Sequence, residues 1–315
     1  SGRCGVKRAE AERAARAPLA AWPPALRAAV AAALLVANTL LCCLVLFALA
    51  LARLLLAPVP AVQRRLDPLL NAVAQAWIAG NSGWMHLTQD TRWQVDGLEQ
   101  VPDAAWTLVV CNHQSWVDIF VLQHLLNRRL PLLKFFLKRE LIWVPVMGLA
   151  WWALGFPFMR RHSEEVLRRN PEKRREDLDA ARRACARFAD APTSVMNFVE
   201  GTRFTAAKHA AQHSPYRHLL KPKAGGMATA LAVLGDRFDA LVDVTIAYPG
   251  GVPGFRQFLR GEVPRIVVSI ERRPIPAELH RADGDPQQRK HVQHWLNGLW
   301  QQKDERLERM LHGAA

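Results

Sequence analysis

Cys111-Asn112-His113-Gln114-Ser115-Trp116-Val117-Asp118 stands between two apolar runs of different kinds. Trp106-Thr107-Leu108-Val109-Val110 ahead of it reads as a buried strand, and Ile119-Phe120-Val121-Leu122 after it as a helix. A histidine at the carboxyl end of a buried strand lies where open α/β sheets bind their ligands. A carboxylate five residues on, just inside the next element, can orient the imidazole through one ring nitrogen and leave the other as a general base. The same residues also suit a histidine that merely caps the turn, with Asp118 placed in the first helical turn to match the helix dipole. His-x4-Asp alone leaves both readings open.

Working outward, the spacing predicts strands at Arg92–Asp96, Trp106–Cys111, Gly155–Met159, Thr193–Val199, Leu241–Ala247 and Arg265–Ile270. Helical stretches at Val117–Asn127, Pro171–Ala189 and Gly225–Leu234 separate most of them. That alternation implies an α/β fold, a mainly parallel sheet with flanking helices. The densely charged run Ser163–Arg187 reads as a solvated helix face, with contact to a membrane surface as the functional alternative.

The N-terminal third has another character. Ala28 to Ala52 is 25 residues long with only Asn38 and Thr39 polar. As a helix it measures roughly 37 Å, against ~30 Å for a bilayer's hydrocarbon core. Pro58 and Pro60 break the chain, and a weaker apolar stretch from Leu66 to Leu87 carries Trp77 and Trp84, residues that favour the headgroup level. Basic residues flank the first run on both sides, which favours a re-entrant hairpin with both ends in the cytoplasm over a single crossing. The expected organisation is a basic segment at 1–27, membrane-associated helices at 28–90, transmembrane or re-entrant, and a catalytic domain at 91–315.

At 315 residues the chain has room for one large α/β domain or two modest ones. Its 42 Lys and Arg against 28 Asp and Glu leave a formal charge of +14, which suits an anionic partner. No recognition helix or stacking strand points to nucleic acid, and the basic residues are scattered rather than striped. The five cysteines show neither metal-ligand nor disulfide spacing, and one histidine with one carboxylate does not make a zinc site.

Three further clusters can carry chemistry. Lys138-Arg139-Glu140-Leu141 and Arg160-Arg161 bracket an apolar stretch, Ile142–Leu154, that suits either an amphiphile's wall or an ordinary core helix with snorkelling ends. Glu200-Gly201-Thr202-Arg203 follows a strand directly. Gly201 permits a tight exit turn, and Arg203 can grip a phosphate with two prongs if its strand neighbours that of His113. Lys221-Pro222-Lys223-Ala224-Gly225-Gly226 leads into a helix whose amides can hold an anion.

In order, Asn112-His113-x4-Asp118, then Lys138, Glu140, Leu141, Pro145, Gly148, Gly155 and Arg161, then Glu200-Gly201-Thr202-Arg203 resemble the blocks of the PlsC-type 1-acylglycerol-3-phosphate acyltransferase family. The tract Val199–His209, then Leu219-Leu220-Lys221-Pro222-Lys223 and the C-terminal Trp295-Leu296…Trp300…Lys303-Asp304, is similar to its YihG-like bacterial branch and to the longer eukaryotic acylglycerophosphate and lysocardiolipin acyltransferases. The chain departs from the pattern at Val242-Asp243-Val244, where Val-Pro-Val is usual, and at Lys221–Gly225, where many members have Lys-x-Gly-Ala.

The resemblance implies a glycerolipid-acyltransferase-like fold behind N-terminal membrane helices, and transfer of a fatty acyl group from acyl-CoA or acyl-ACP to the free hydroxyl of a lysophospholipid, lysophosphatidic acid first. His113 and Asp118 are then the catalytic residues. Lys138 and Arg203 hold the acceptor's phosphate, Arg161 and Lys223 stand behind them, Gly201 and Thr202 shape the loop, and Glu200 fixes it or touches the glycerol. The acyl thioester is a co-substrate, no cofactor or metal is implied, and the partners are lysophospholipid, anionic membrane lipids and possibly acyl carrier protein. The implied location is a bacterial inner membrane with the domain on the cytoplasmic side. The rivals are a remodelling enzyme for a larger lysophospholipid, a non-catalytic lipid-binding protein anchored to a membrane, and a serine hydrolase, which lacks its Gly-x-Ser-x-Gly.

Overall fold

The computed structural model describes residues 16–103, 106–159, 192–280 and 286–313, with five helical positions between 172 and 183. At its centre is β2 (Trp106–Cys111), whose side chains alternate between two cores. Leu108 and Val110 face one, Val109 and Cys111 the other. A strand wrapped on both faces has no wet side, which is why it reads as a continuous apolar run.

The main sheet has six strands in the order β1 (Arg92–Asp96), β8 (Arg265–Arg273), β7 (Ala240–Ala247), β2, β6 (Thr193–Phe198) and β3 (Leu133–Phe135). All neighbours are parallel except β7 and β8. The mainly parallel sheet is therefore present. On one face lie α6 (Ala224–Leu234) and the long C-terminal α9 (Pro286–His312), packing Met227, Leu231, Leu296 and Trp300 against Leu108 and Val195. On the other lie α3 (Val117–Leu126) and α7 (Phe255–Leu259), packing Val121, Leu122 and Phe258 against Val109 and Met196.

Two sequence expectations change. Gly155–Met159 is not a strand of this sheet. Gly155 takes φ 72, Pro157 can supply no N–H, and only Phe158–Met159 (β5) pairs, with Leu137–Lys138 (β4), in a separate two-stranded sheet. In its place the edge strand is β3, only three residues long and carrying a buried Lys134, too short and too polar to show a period. The expected helix Pro171–Ala189 lies largely outside the described residues.

The N-terminal elements form a helical hairpin, α1 (Pro24–Leu55) and α2 (Pro60–Thr88). Pro60 opens the second helix rather than only breaking the chain, a position where its missing N–H costs nothing. The two polar residues of the apolar run face the partner helix. Asn38 donates through Nδ2 to the Trp77 carbonyl (2.8 Å) and to Asn81 Oδ1 (3.0 Å), while Trp77 Nε1 donates to Thr39 Oγ1 (3.0 Å). Gly80 makes room for this, since a Cβ there would stand 2.4 Å from Asn38 Oδ1. Elsewhere α1 presents apolar residues outward, and it is long and apolar enough to cross a membrane, with a mean hydropathy of 2.7 over its best window. At the hairpin's base, Ala31, Trp84 and Met85 join the same core as α3, so the hairpin and the sheet are built together.

Candidate active site

β2 hands over to a turn through Asn112. The ladder with β7 ends at Cys111 opposite Val244, and the Asn112 side chain continues it. Its Nδ2 donates to the Ile246 carbonyl and its Oδ1 accepts the Ile246 N–H, both at 2.9 Å. A buried side-chain amide thus replaces a backbone unit and pins the turn just before His113.

The turn then folds around one carboxylate. Asp118 Oδ2 accepts from His113 Nδ1 (2.9 Å), from the Gln114 N–H (2.6 Å) and from the Ser115 N–H (2.8 Å), while Oδ1 accepts from the Tyr248 hydroxyl (2.6 Å). Four donors meet two oxygens, an arrangement that requires an acceptor-only carboxylate. Burial and the neighbouring Asp118 hold the Tyr248 phenol well above its ordinary range, so that hydroxyl stays a donor. With Nδ1–H committed to Asp118, the accepting nitrogen of His113 is Nε2. The imidazole lies flat on Phe198, with centroids 3.9 Å apart and planes 16° apart. Its side chain is 13% exposed against 1% for Asp118. A base open to substrate and a sheltered orienting carboxylate are what proton abstraction needs.

Glu200-Gly201-Thr202-Arg203 leaves β6, the parallel neighbour of β2, at the same sheet edge. The two turns are tied together directly. The Phe204 N–H donates to the His113 carbonyl (2.7 Å), and Glu200 Oε1 accepts the His113 N–H (3.0 Å). Glu200 Oε2 accepts the Leu220 N–H (3.0 Å). Burial pushes the Glu200 carboxyl up to about 7, against the pull of those two N–H groups. Of the two roles expected for it, fixing the loop fits this geometry, for Glu200 has no exposed surface.

Gly201 turns the chain at φ 70. Arg203 then lays its guanidinium 4.9 Å above the ring of the half-exposed Trp116. Thr202 Oγ1 accepts from Lys208 Nζ (2.7 Å), which also donates to the Arg203 carbonyl (3.0 Å). Lys223 is tied in by its N–H to the Val199 carbonyl (2.7 Å), and its side chain lies over Gly201, where a Cβ would come 3.6 Å from Lys223 Cδ. His113, Asp118, Glu200, Gly201, Thr202, Arg203 and Lys223 thus share one edge. Lys138 is exposed on β4, outside the main sheet, and Arg161 lies outside the described residues.

Ser115 is no nucleophile in this arrangement. Its Oγ donates to the Pro253 carbonyl (2.5 Å) and accepts the Val117 N–H (3.1 Å), opening α3. Cys111 is fully buried, and that burial holds its thiol well above the ordinary value.

Sequence reading missed Tyr248 and Phe198. Tyr248 follows β7 immediately, and the rule that sites gather at the carboxyl ends of strands could have found it. The departure at Asp243 also finds a cause. Asp243, on β7, faces α9 and pairs with Lys303 Nζ (2.5 Å) and Arg306 (3.1 Å) in the interior. Lys303 also donates to the Val244 carbonyl (2.5 Å), and Asp304 accepts the Arg217 and His218 N–H groups (2.7 and 2.8 Å). The tract Lys303-Asp304 is therefore a dock for α9 against the strand and loop that flank the site.

An α/β sheet thus carries a His–Asp pair and an arginine loop at one edge. Residues 92–248 match the acyltransferase family model. The chain is 27% identical over 224 residues to lysocardiolipin acyltransferase 1 of Gallus gallus, covering 66% of this chain and 54% of that protein. It is 28% identical over 211 residues to 1-acyl-sn-glycerol-3-phosphate acyltransferase gamma of Homo sapiens, covering 62% and 51%. The chain thus spans about half the length of the curated relatives it matches. The crystal structure of the 1-acyl-sn-glycerophosphate acyltransferase PlsC from Thermotoga maritima superimposes with a TM-score of 0.44 at 17% identity, over 87% of this chain and 98% of that one.

Proposed function

We propose that this protein transfers a fatty acyl group from an acyl thioester to the free hydroxyl of a lysophospholipid, with lysophosphatidic acid as the first acceptor. The observation that carries the reading is the His113–Asp118 pair, oriented by four hydrogen bonds at the sheet edge it shares with Arg203. His113 Nε2 takes the proton of the acceptor hydroxyl as its oxygen attacks the thioester carbonyl. Asp118 stabilises the imidazolium that forms. Collapse of the tetrahedral intermediate breaks the C–S bond, and the imidazolium returns its proton to the leaving thiolate. Arg203 holds the acceptor's phosphate, with Lys138, Lys223 and Arg161 as further cations, while Gly201 and Thr202 shape the loop that Glu200 fixes.

The tract Val199–His209 supports a place beside the YihG-like bacterial branch, and with it an inner-membrane location facing the cytoplasm. In this reading the α1–α2 hairpin enters one leaflet rather than crossing. Its support is α4 (Met147–Ala153), which packs against α1 as far along as Cys43, Leu46 and Ala50. Only Leu51–Leu55 extends beyond, about 8 Å of helix, so even a hairpin whose contact with α4 lies within one leaflet stops short of the far side of a bilayer. The likeness to lysocardiolipin acyltransferase 1 favours one second reading, a remodelling enzyme for a larger lysophospholipid.

Purified protein in detergent, given long-chain acyl-CoA or acyl-ACP and a panel of lysophospholipids, tests this. Product from lysophosphatidic acid supports the first reading, and product only from larger head groups supports the second. Lipid binding without transfer from a folded protein refutes both.

A further inference from the structure

The stretch Ile142–Leu154, expected as an amphiphile's wall or a core helix, buries Gly148, Ala150 and Ala153 but turns large apolar side chains outward. Trp143 is 85% exposed, Leu149 57% and Trp152 43%, with Val144 and Val146 at 37% each. Its inner side is filled, because Ala150, Ala153 and Leu154 pack on Cys43, Leu46 and Phe47 of α1. The helix it packs on also exposes large apolar side chains, with Leu41 64% and Leu44 69% exposed. Two segments about a hundred residues apart in sequence, packed on one another, thus both turn large apolar side chains to the outside.

Several backbone N–H groups of this turn are paired locally. Val144 N–H donates to the Leu141 carbonyl (3.1 Å), Met147 N–H to Pro145 (2.7 Å), Gly148 N–H to Val144 (2.8 Å) and Ala150 N–H to Val146 (3.0 Å). Pro145 has no N–H to satisfy. Each N–H paired within the turn lowers the cost of taking it out of water. The conformation is also strained and tightly packed. Val146, a β-branched residue, sits at φ 65, and a Cβ on Gly148 would lie 2.0 Å from the Ile142 carbonyl oxygen. Such strain persists only where the surroundings impose it. The exposed Lys138 and Arg139 stand at the margin of the patch, where anionic headgroups lie. Tryptophan suits that depth.

We propose that the turn and helix at 142–152 are a second lipid-inserting element, which enters the same leaflet as α1 and seats the domain on an anionic bilayer surface. The proposal stands on this surface and not on the His113 site, so the two can fail separately.

The test is the partition coefficient of the full chain onto vesicles of phosphatidylcholine and phosphatidylglycerol, read from a lipid titration by sedimentation. Four proteins are compared: the wild type, Trp143→Glu/Leu149→Glu, Leu41→Glu/Leu44→Glu as the hairpin control, and Gln301→Glu on the exposed side of α9. All four positions that lose an apolar side chain face outward, so the melting temperature in detergent should stay within a few degrees of the wild type. The 143/149 variant is expected to partition at least 30-fold more weakly, as the hairpin control does, with Gln301→Glu unchanged. Partition of the 143/149 variant within twofold of the wild type, while the hairpin control falls, overturns the proposal. The same holds if that variant keeps its partition and instead changes from dimer to monomer by light scattering in detergent, which makes the patch a contact between copies. A variant that melts early is replaced by Trp143→Ser/Leu149→Ser, read against the same limits.

Discussion

Replacing Asp118 with asparagine removes a charge while keeping shape. The amide can take two orientations. With its oxygen at the Oδ2 position it still accepts from His113 Nδ1 and from the Gln114 and Ser115 N–H groups, and its NH2 meets the Tyr248 hydroxyl, which can rotate to accept. The flipped amide aims donors at three donors, each such clash costing about 1–3 kcal/mol. The first orientation wins, and the His113 tautomer survives. What is lost is the negative charge 2.9 Å from the ring at the moment it becomes imidazolium. A hydrogen bond to an ion exceeds a neutral one by about 1–2 kcal/mol, and the residual Coulomb attraction at a half-sheltered site adds a similar amount. The transition state should therefore rise by about 2–4 kcal/mol, a loss of roughly 30- to 1000-fold in kcat. KM should stay within about threefold, since Asp118 touches no substrate. Tyr248→Phe, which leaves Asp118 three of its donors, should lose less than tenfold. The assay is thiol release from an acyl thioester with lysophosphatidic acid in detergent, on protein shown to be folded by its melting transition. A folded Asp118→Asn enzyme with kcat within threefold of the wild type would refute the reasoning.

Glu200, lifted from its ordinary 4.5 to about 7 by burial, keeps a proton in the folded chain that the unfolded chain has lost between those values. Its contribution is thus fully present below about pH 4.5 and declines as pH rises through 7, by at most about 3 kcal/mol. Glu200→Gln should abolish that slope, so its stability relative to the wild type improves from pH 5 to pH 8 in urea melts; parallel curves would exclude the linkage. Lys303→Met strands part of the charge on Asp243 in the interior and should cost about 3–5 kcal/mol, with at least half regained in Lys303→Met/Asp243→Leu; no recovery in the double variant would show that the pair is not the cause. Arg203→Ala should raise KM for lysophosphatidic acid by about 10- to 100-fold and leave a phosphate-free monoacylglycerol within threefold. Equal losses on both acceptors would remove Arg203 from phosphate binding.

Most of the sheet could be read from the chain because its central strands are covered on both faces. Leu108 to Cys111 and Leu241 to Val244 had to be apolar or internally paired, and their runs are bounded by turns. What escaped was set by distant partners. Leu133–Phe135 becomes a strand only because β6 offers it an edge, and Gly155–Met159 fails as one because its backbone turns at Gly155. Within the site, His113, Asp118 and Arg203 showed themselves by residue type and spacing. Phe198 and the Asp243–Lys303 pair depend on ring stacking across strands or on contacts some 60 residues apart and leave no local pattern, while Tyr248 offers only its place at the end of a strand. The exposed tryptophans at 143 and 152 were visible as apolar residues, but the side they face follows from where α1 docks.

The central claim is that His113 is the base of an acyl transfer. Wild type and His113→Ala, both shown to be folded, should be compared in detergent with lysophosphatidic acid and a long-chain acyl thioester. Product is expected from the wild type, with a loss of at least about 10²-fold in kcat for the variant and acceptor binding retained. A folded His113→Ala protein that transfers acyl groups within a few-fold of the wild type would contradict it.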